Sequence, residues 1–217
     1  MLIEAQGISV AIGGGIVLDD ESLRCKTGIM TALVGASGSG KTTLLHCLGL
    51  LLPVDKGSIL IDGNDVTRYS AAARRRFWRD HAAFVLQDYG IMDEESVAFN
   101  VTMQASFIGK RVSGNKERLK QSLEQTGLKN RGNELAGHLS GGEKQRLALS
   151  RAIYKDANIL FVDEPTASLD ATNRRMVIEL LADFTARGRT VIVSTHDSEM
   201  IAACGAIHQI GSSNSSH

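Results

Sequence analysis

The sequence has no apolar run approaching the ~20 residues that a helix needs to cross a bilayer. That excludes a helical channel as the role of this chain by itself. At its start, "MLIEAQGISV", there is no basic segment followed by a long apolar one, so no secretory signal is visible and a cytoplasmic location is expected. Cysteine is scarce. Cys25, Cys47 and Cys204 are far apart, form no CxxC pair and give no disulfide framework, so each reads as a packing residue. Net charge is absent as well: Lys and Arg total 24 and so do Asp and Glu, so no nucleic-acid partner is expected. The local exception, "RRRFWR" at Arg74–Arg79, has helical spacing and reads as a solvated basic face. No internal repeat is visible, and the only low-complexity piece is the polar tail at 212–217.

What is present is a chain of 217 residues, 43% apolar, long enough for one large domain or a domain with an inserted lobe. The segments "LIEAQGISVAI" and "GIVLDDESLRCKTGIMTALVG" read as strands with a turn at Lys26–Gly28, and "GSILIDGNDV" as a small hairpin around Asp62-Gly63. A helix after "TALVGASGSG" is expected to end near Pro53. From about Asp88 to Asp156 the spacing turns helical, with Leu119, Leu123, Leu147, Leu149 and Ile153 at apolar positions. Strand-like runs return as "ANILFVDEP" and "RTVIVSTHD", separated by the helix "ATNRRMVIELLADFTARG". Apolar strands alternating with helices predict an α/β fold. It consists of a mostly parallel sheet covered on both faces, an N-terminal antiparallel β subdomain and an inserted helical subdomain. The expected division of the single domain at 1–217 is a core from 1–87 and 157–211, with the helical part at 88–156.

The stretch "GASGSGKT" fits G-x-x-x-x-G-K-[ST] at every specified position. Gly35, Ala36, Ser37, Gly38, Ser39 and Gly40 can bend the backbone so that successive N–H groups face a phosphate chain, with the helix from Lys41 adding its N-terminus. Lys41 supplies a point charge toward the terminal phosphates, Thr42 a hydroxyl for Mg²⁺, and Thr43 continues the cradle. A magnesium nucleotide also needs a carboxylate near the metal. Asp163 supplies it at the end of an apolar strand, where open α/β sheets place ligands. Glu164 follows. Alone, two acids after a strand would be a solvated strand end; beside the glycine loop, Asp163 reads as the Mg²⁺ residue and Glu164 as the group that orients and polarises the attacking water.

A second stretch, "LSGGEKQRLALSRAI", places Ser140, Gly141 and Gly142 before a helix, where they too can present a hydroxyl and free N–H groups to an anion. Together with the glycine loop, "ILFVDEPTASLD" and "STHD", in that order and over nearly the whole chain, it resembles the ATP-binding cassette subunit of the ABC transporters. The segment "FVLQDYGIMDEESVAFNV" is similar to the branch that includes lipoprotein-release, macrolide-export and bacteriocin-export ATPases. The resemblance implies that Gln87 is a glutamine reaching Mg²⁺ and the attacking water, and that His196 contacts the γ-phosphate. Asp170 then couples two active sites across a dimer, and Ser140–Gly142 is the signature motif that grips the γ-phosphate bound to a second copy. ATP and Mg²⁺ are the implied cofactors. The implied partners are a second copy and a transmembrane permease contacting Asp88–Phe99, which places the chain peripherally on the inner face of the cell membrane. A second reading is a non-transport cassette acting on a cell-division or other scaffold partner.

Two departures stand out. Ile12 sits where the family places an aromatic ring on adenine, so the base loses a stacking contribution on the order of 1 kcal/mol. Glu143 replaces the more usual glutamine, which favours the helix start but adds repulsion toward a nearby phosphate.

Overall fold

The computed structural model describes residues 1–86, 90–104, 114–167 and 169–211. Strands β1 (Ile3–Ile12) and β2 (Gly15–Cys25) form an antiparallel hairpin. The other edge of β1 pairs with β4 (Lys56–Ile61), which pairs with β5 (Asn64–Asp65), so this sheet has the order β2-β1-β4-β5. Ile3, Ala5, Ile8 and Val10 are the buried positions of β1. Their period of two slips between Ala5 and Ile8, where the pairing register shifts and Gly7 takes a φ of 57°. An irregularity of this kind lets both halves of a long strand keep their apolar side chains inward. The strands approach closely there: a Cβ on Gly57 would lie 2.3 Å from the Gly7 carbonyl oxygen.

The second sheet holds β3 (Met30–Val34), β6 (Ala82–Val85), β7 (Ile159–Asp163), β8 (Thr190–Ser194) and β9 (Ala206–Gln209) in the order β6-β7-β8-β3-β9, every neighbouring pair parallel. The alternation of side chains along each strand assigns its residues to two faces. Leu33, Ile159, Phe161 and Ile192 pack on α1 (Lys41–Leu48) through Leu44, Leu45 and Leu48, and on Ile3, Ile8 and Ile59 of the antiparallel sheet. Ala32, Leu160, Val162, Val191 and Val193 face α5 (Gly141–Lys155) and α6 (Ala171–Ala186). A third cluster joins α3 (Val97–Thr102) and α4 (Lys116–Gln125) to α5. Helix α5 is therefore shared: Leu147 faces the other helices, whereas Ala148, Leu149 and Ala152 face the sheet. Among the described residues the remaining α-helices are α2 (Ala71–Asp80), which carries the basic face, and α7 (Ser198–Ala203).

The α/β class, the parallel sheet and the accompanying antiparallel sheet are as the sequence predicts. One boundary is not. Helix α1 stops at Leu48 rather than near Pro53, because Gly49 packs against the Phe84 ring and Leu50 turns into the left-handed region at φ 59°. A Cβ at Gly49 would lie 2.6 Å from the ring.

Candidate nucleotide-hydrolysis site

The parallel register brings the ends of three strands to one edge. Leu33 and Asp163 are both opposite Ser194, so the loops that leave β3, β7 and β8 emerge side by side. This is where an open α/β sheet places its ligand. The loop after β3 is the glycine loop, in which Gly38 and Gly40 have φ of 77° and 93°. Gly40 is the N-cap of α1, and a Cβ there would meet Leu18 Cδ2 at 2.8 Å and the Val17 carbonyl at 2.9 Å. Only glycine lets strand β2 press on the loop in this way.

Lys41 begins α1 and curls back: its Nζ donates to the Gly35 carbonyl at 3.0 Å and to that of Ala36 at 3.1 Å, which places the ammonium in the curve of the loop. Thr42 Oγ1 donates to Asp163 Oδ1 at 3.2 Å, joining the glycine loop to β7. Asp163 is 5% exposed, and the Ser194 hydroxyl donates to the same oxygen. Glu164 turns away at a φ of 45°, its N–H donating to the Ser194 carbonyl at 3.0 Å, and its Oε2 lies 2.9 Å from His196 Nδ1. A left-handed glutamate is uncommon, and the turn here separates the two adjacent acids, one buried against Thr42 and the other beside His196. A cation, free helix N–H groups, a hydroxyl with a buried carboxylate and an outer carboxylate with an imidazole are thus gathered at one edge. This set can hold a polyphosphate, a hard cation and a water molecule.

Ser140, Gly141 and Gly142 form a separate cluster. Ser140 caps α5 in a reciprocal box: the Glu143 N–H donates to Ser140 Oγ at 3.4 Å, while the Ser140 N–H and Oγ donate to Glu143 Oε2 at 2.8 and 2.9 Å. In the fold the negative charge that Glu143 brings to the helix start has a partner. Arg131 hydrogen-bonds its other oxygen and pairs with Glu134 at 2.7 Å. Burial pushes the Glu143 carboxyl up, but the Ser140 hydrogen bonds and the Arg131 cation outweigh that and hold it below the usual range. Gly142 abuts Asn173, whose amide is also bonded to Asp170, the N-cap of α6; the Asn173 hydrogen bonds hold the Asp170 carboxyl below its ordinary value.

Gln87, together with Asp88 and Tyr89 of the expected permease contact, lies outside the described residues. Ile12 is at the tip of the β1–β2 hairpin, half exposed opposite Gly15, with the exposed Ile16 beside it and Val17 leading to the glycine loop. Three residues that the motif reading left aside also belong to these clusters: Ser194, Arg131 and Asn173. Ser194 was within reach, as the first residue of "STHD"; the other two have no local signal. On another side, α2, β6, α3, α4 and α5 border a groove of about 700 Å³, with Trp78, Phe84, Val101, Met103 and Tyr154 among its walls and Arg79 and Arg118 among its cations. No helix among the described residues is long and apolar enough to cross a membrane.

Comparison with known proteins bears on the family and the fold. The family model described as ABC transporter matches residues 18–167. The macrolide export ATP-binding/permease protein MacB of Burkholderia pseudomallei (strain K96243) is 36% identical over 195 residues, which are 90% of this chain and 30% of that protein. MacB of Chlorobaculum tepidum is 37% identical over 183 residues, 84% of this chain and 28% of its own. The chain thus spans about 30% of the length of the curated relatives it matches. Among solved structures, the dimeric bacterial ABC transporter cassette MJ0796 superposes with a TM-score of 0.84 at 27% identity, covering 96% of this chain and 94% of its own. The same cassette, as a dimer in a post-hydrolysis state with ADP and Pi, superposes equally well at 26% identity.

Proposed function

This chain belongs to the ABC transporter family, as one of its ATPase cassettes, and from that premise we propose that two copies close around two MgATP and drive a membrane permease that exports a peptide, lipoprotein or drug. The observation that carries the proposal is that one chain holds two clusters of groups suited to an anion. Lys41, Thr42, Asp163, Glu164 and His196 meet at the sheet edge, whereas Ser140 and Gly141 stand exposed at the start of α5 with Glu143 as the hydrogen-bond partner of Ser140. A twofold pair lets the second cluster of each copy complete the first cluster of the other. The dimeric cassette structures and the one bound to ADP and Pi support this arrangement. The relatives named for macrolide export favour transport over a scaffold role.

In this reading the glycine loop from Gly35 to Thr43 wraps the phosphates, and Lys41 leaves its loop carbonyls to meet their charge. Thr42 and Asp163 present oxygen donors already paired with each other, the chemistry Mg²⁺ prefers, and Gln87 joins them. Bound Mg²⁺ would neutralise charge on the phosphates during transfer. Glu164 accepts a proton from the attacking water, and His196, which it touches, faces the γ-phosphate. Ser140, Gly141, Gly142 and Asp170 act on the facing copy's nucleotide. Loss of the γ-phosphate removes the bridge and lets the pair open.

We take the chain as one cassette, with 88–156 its inserted helical part, lying against the inner membrane face. The groove beside α3, lined from Val101 onward on that helix and so just past the sequence-predicted contact at Asp88–Phe99, is the docking surface for the permease. Glu164→Gln is expected to slow ATP hydrolysis by about a hundredfold or more while retaining nucleotide. It should also dimerise in MgATP by sedimentation, and adding Ser140→Arg should abolish that dimer. Equal dimerisation of both variants would reject the composite site.

A further inference from the structure

Asn173 has no part in the chemistry above, yet it touches both pieces of the second cluster. Its main-chain N–H and Nδ2 donate to the two carboxylate oxygens of Asp170, at 2.8 and 2.7 Å. Its Oδ1 accepts from Arg146 Nη1, a buried guanidinium on α5 whose Nε donates to the Thr126 carbonyl at 3.0 Å. The amide also lies against the signature turn, since a Cβ on Gly142 would be 3.1 Å from Asn173 Cγ. One side chain therefore joins α5, which carries Ser140 at its start, to the turn that carries Asp170 at the start of α6. Hydrogen bonds from both ends of a short planar amide, one of them to a buried cation, leave little freedom for the two turns to move apart.

We infer that Asn173 is a positioning residue that fixes the Ser140–Gly142 turn and the Asp170 turn as one rigid element, so that both reach the facing copy's nucleotide together. This rests on the composite-site reading and adds to it a residue that touches neither nucleotide. Because the glycine loop, Asp163 and Glu164 are held by other contacts, the element can be loosened without disturbing binding in the same chain.

The test uses the full chain carrying Glu164→Gln, alone and with Asn173→Ala or Asn173→Asp. The aspartate keeps an oxygen acceptor for Arg146 but sets a carboxylate against Asp170, so it breaks one side of the link without stranding the guanidinium. Each added substitution is expected to raise the protein concentration for half-dimerisation in MgATP by about tenfold, while a fluorescent ATP analogue binds dilute monomer within about twofold of the parent. Dimerisation at the parent's concentration, or an equal fall in nucleotide affinity, would overturn the inference. If the Glu164→Gln parent itself fails to dimerise, the composite-site reading falls and takes this inference with it; a dimerising parent with unaffected Asn173 variants rejects the inference alone.

Discussion

In the proposed reading, Ile12 is the residue at which the site departs most from what its nucleotide would prefer. It stands half exposed at the hairpin tip, where an aliphatic side chain would offer a base contact area but no ring face. Ile12→Tyr is expected to tighten ATP binding by roughly fivefold, the equivalent of about 1 kcal/mol of stacking, in a fluorescence titration. An unchanged affinity would mean that the base lies elsewhere. The cysteines illustrate the opposite situation. Burial pushes the Cys25 and Cys47 thiols up to about 12 and that of Cys204 up to about 11, so none supplies appreciable thiolate at neutral pH. Native protein is expected to resist iodoacetamide at pH 7 and to react at all three positions only once unfolded, as read by mass spectrometry. The residues gathered in the candidate site were legible where they fall in a contiguous run, as in "GASGSGKT" and "VDEP". Arg131 was not, because nothing near it in sequence says that Glu143 will be its partner; that pairing exists only once α5 is in place.

At the scale of elements, α5 carries the most. It begins with the Ser140 box, buries Leu147 among helices and Leu149 against the sheet, and ends on Lys155. Leu147→Ala is expected to cost about 2–5 kcal/mol in denaturant unfolding, since the side chain is fully buried. The box at its start has a pH signature. Folding holds the Glu143 carboxyl below its ordinary value, so its stabilisation is complete above the ordinary carboxylate range and fades as pH falls through the lowered value. The difference in melting temperature between wild type and Glu143→Gln should therefore shrink in acid; a constant difference would show that the charge adds nothing. Element type was legible in the sequence because buried strands such as "ILFVD" and "TVIVS" are continuous apolar runs. Element ends were less so. The early stop of α1 depends on Phe84, which is far along the chain, and the phase slip in β1 depends on how Gly7 and Gly57 meet.

For the whole molecule, the order β6-β7-β8-β3-β9 sets the glycine loop after β3 beside the end of β8, which leads to His196, with β7, which supplies Asp163 and leads to Glu164, one strand further; none of these residues lines the groove by α3. The proposed phosphate chemistry and the proposed permease docking are therefore expected to be separable by mutation. Met103→Glu, at an exposed position of the groove, is expected to leave ATP binding unchanged and to reduce recovery of a multispanning membrane protein in a detergent pull-down. Capture of only soluble partners by the wild type would argue against transport. The Lys41 contacts carry a consequence for turnover. With its ammonium bonded to the Gly35 and Ala36 carbonyls, the glycine loop closes on itself like a clasp, and in the proposed reading an arriving phosphate trades places with partners already there. Affinity then measures only the surplus over that internal grip, so a nucleotide shortened by one phosphate loses much of its advantage. The clasp can refasten as the product leaves, which favours rapid release over a stranded charge.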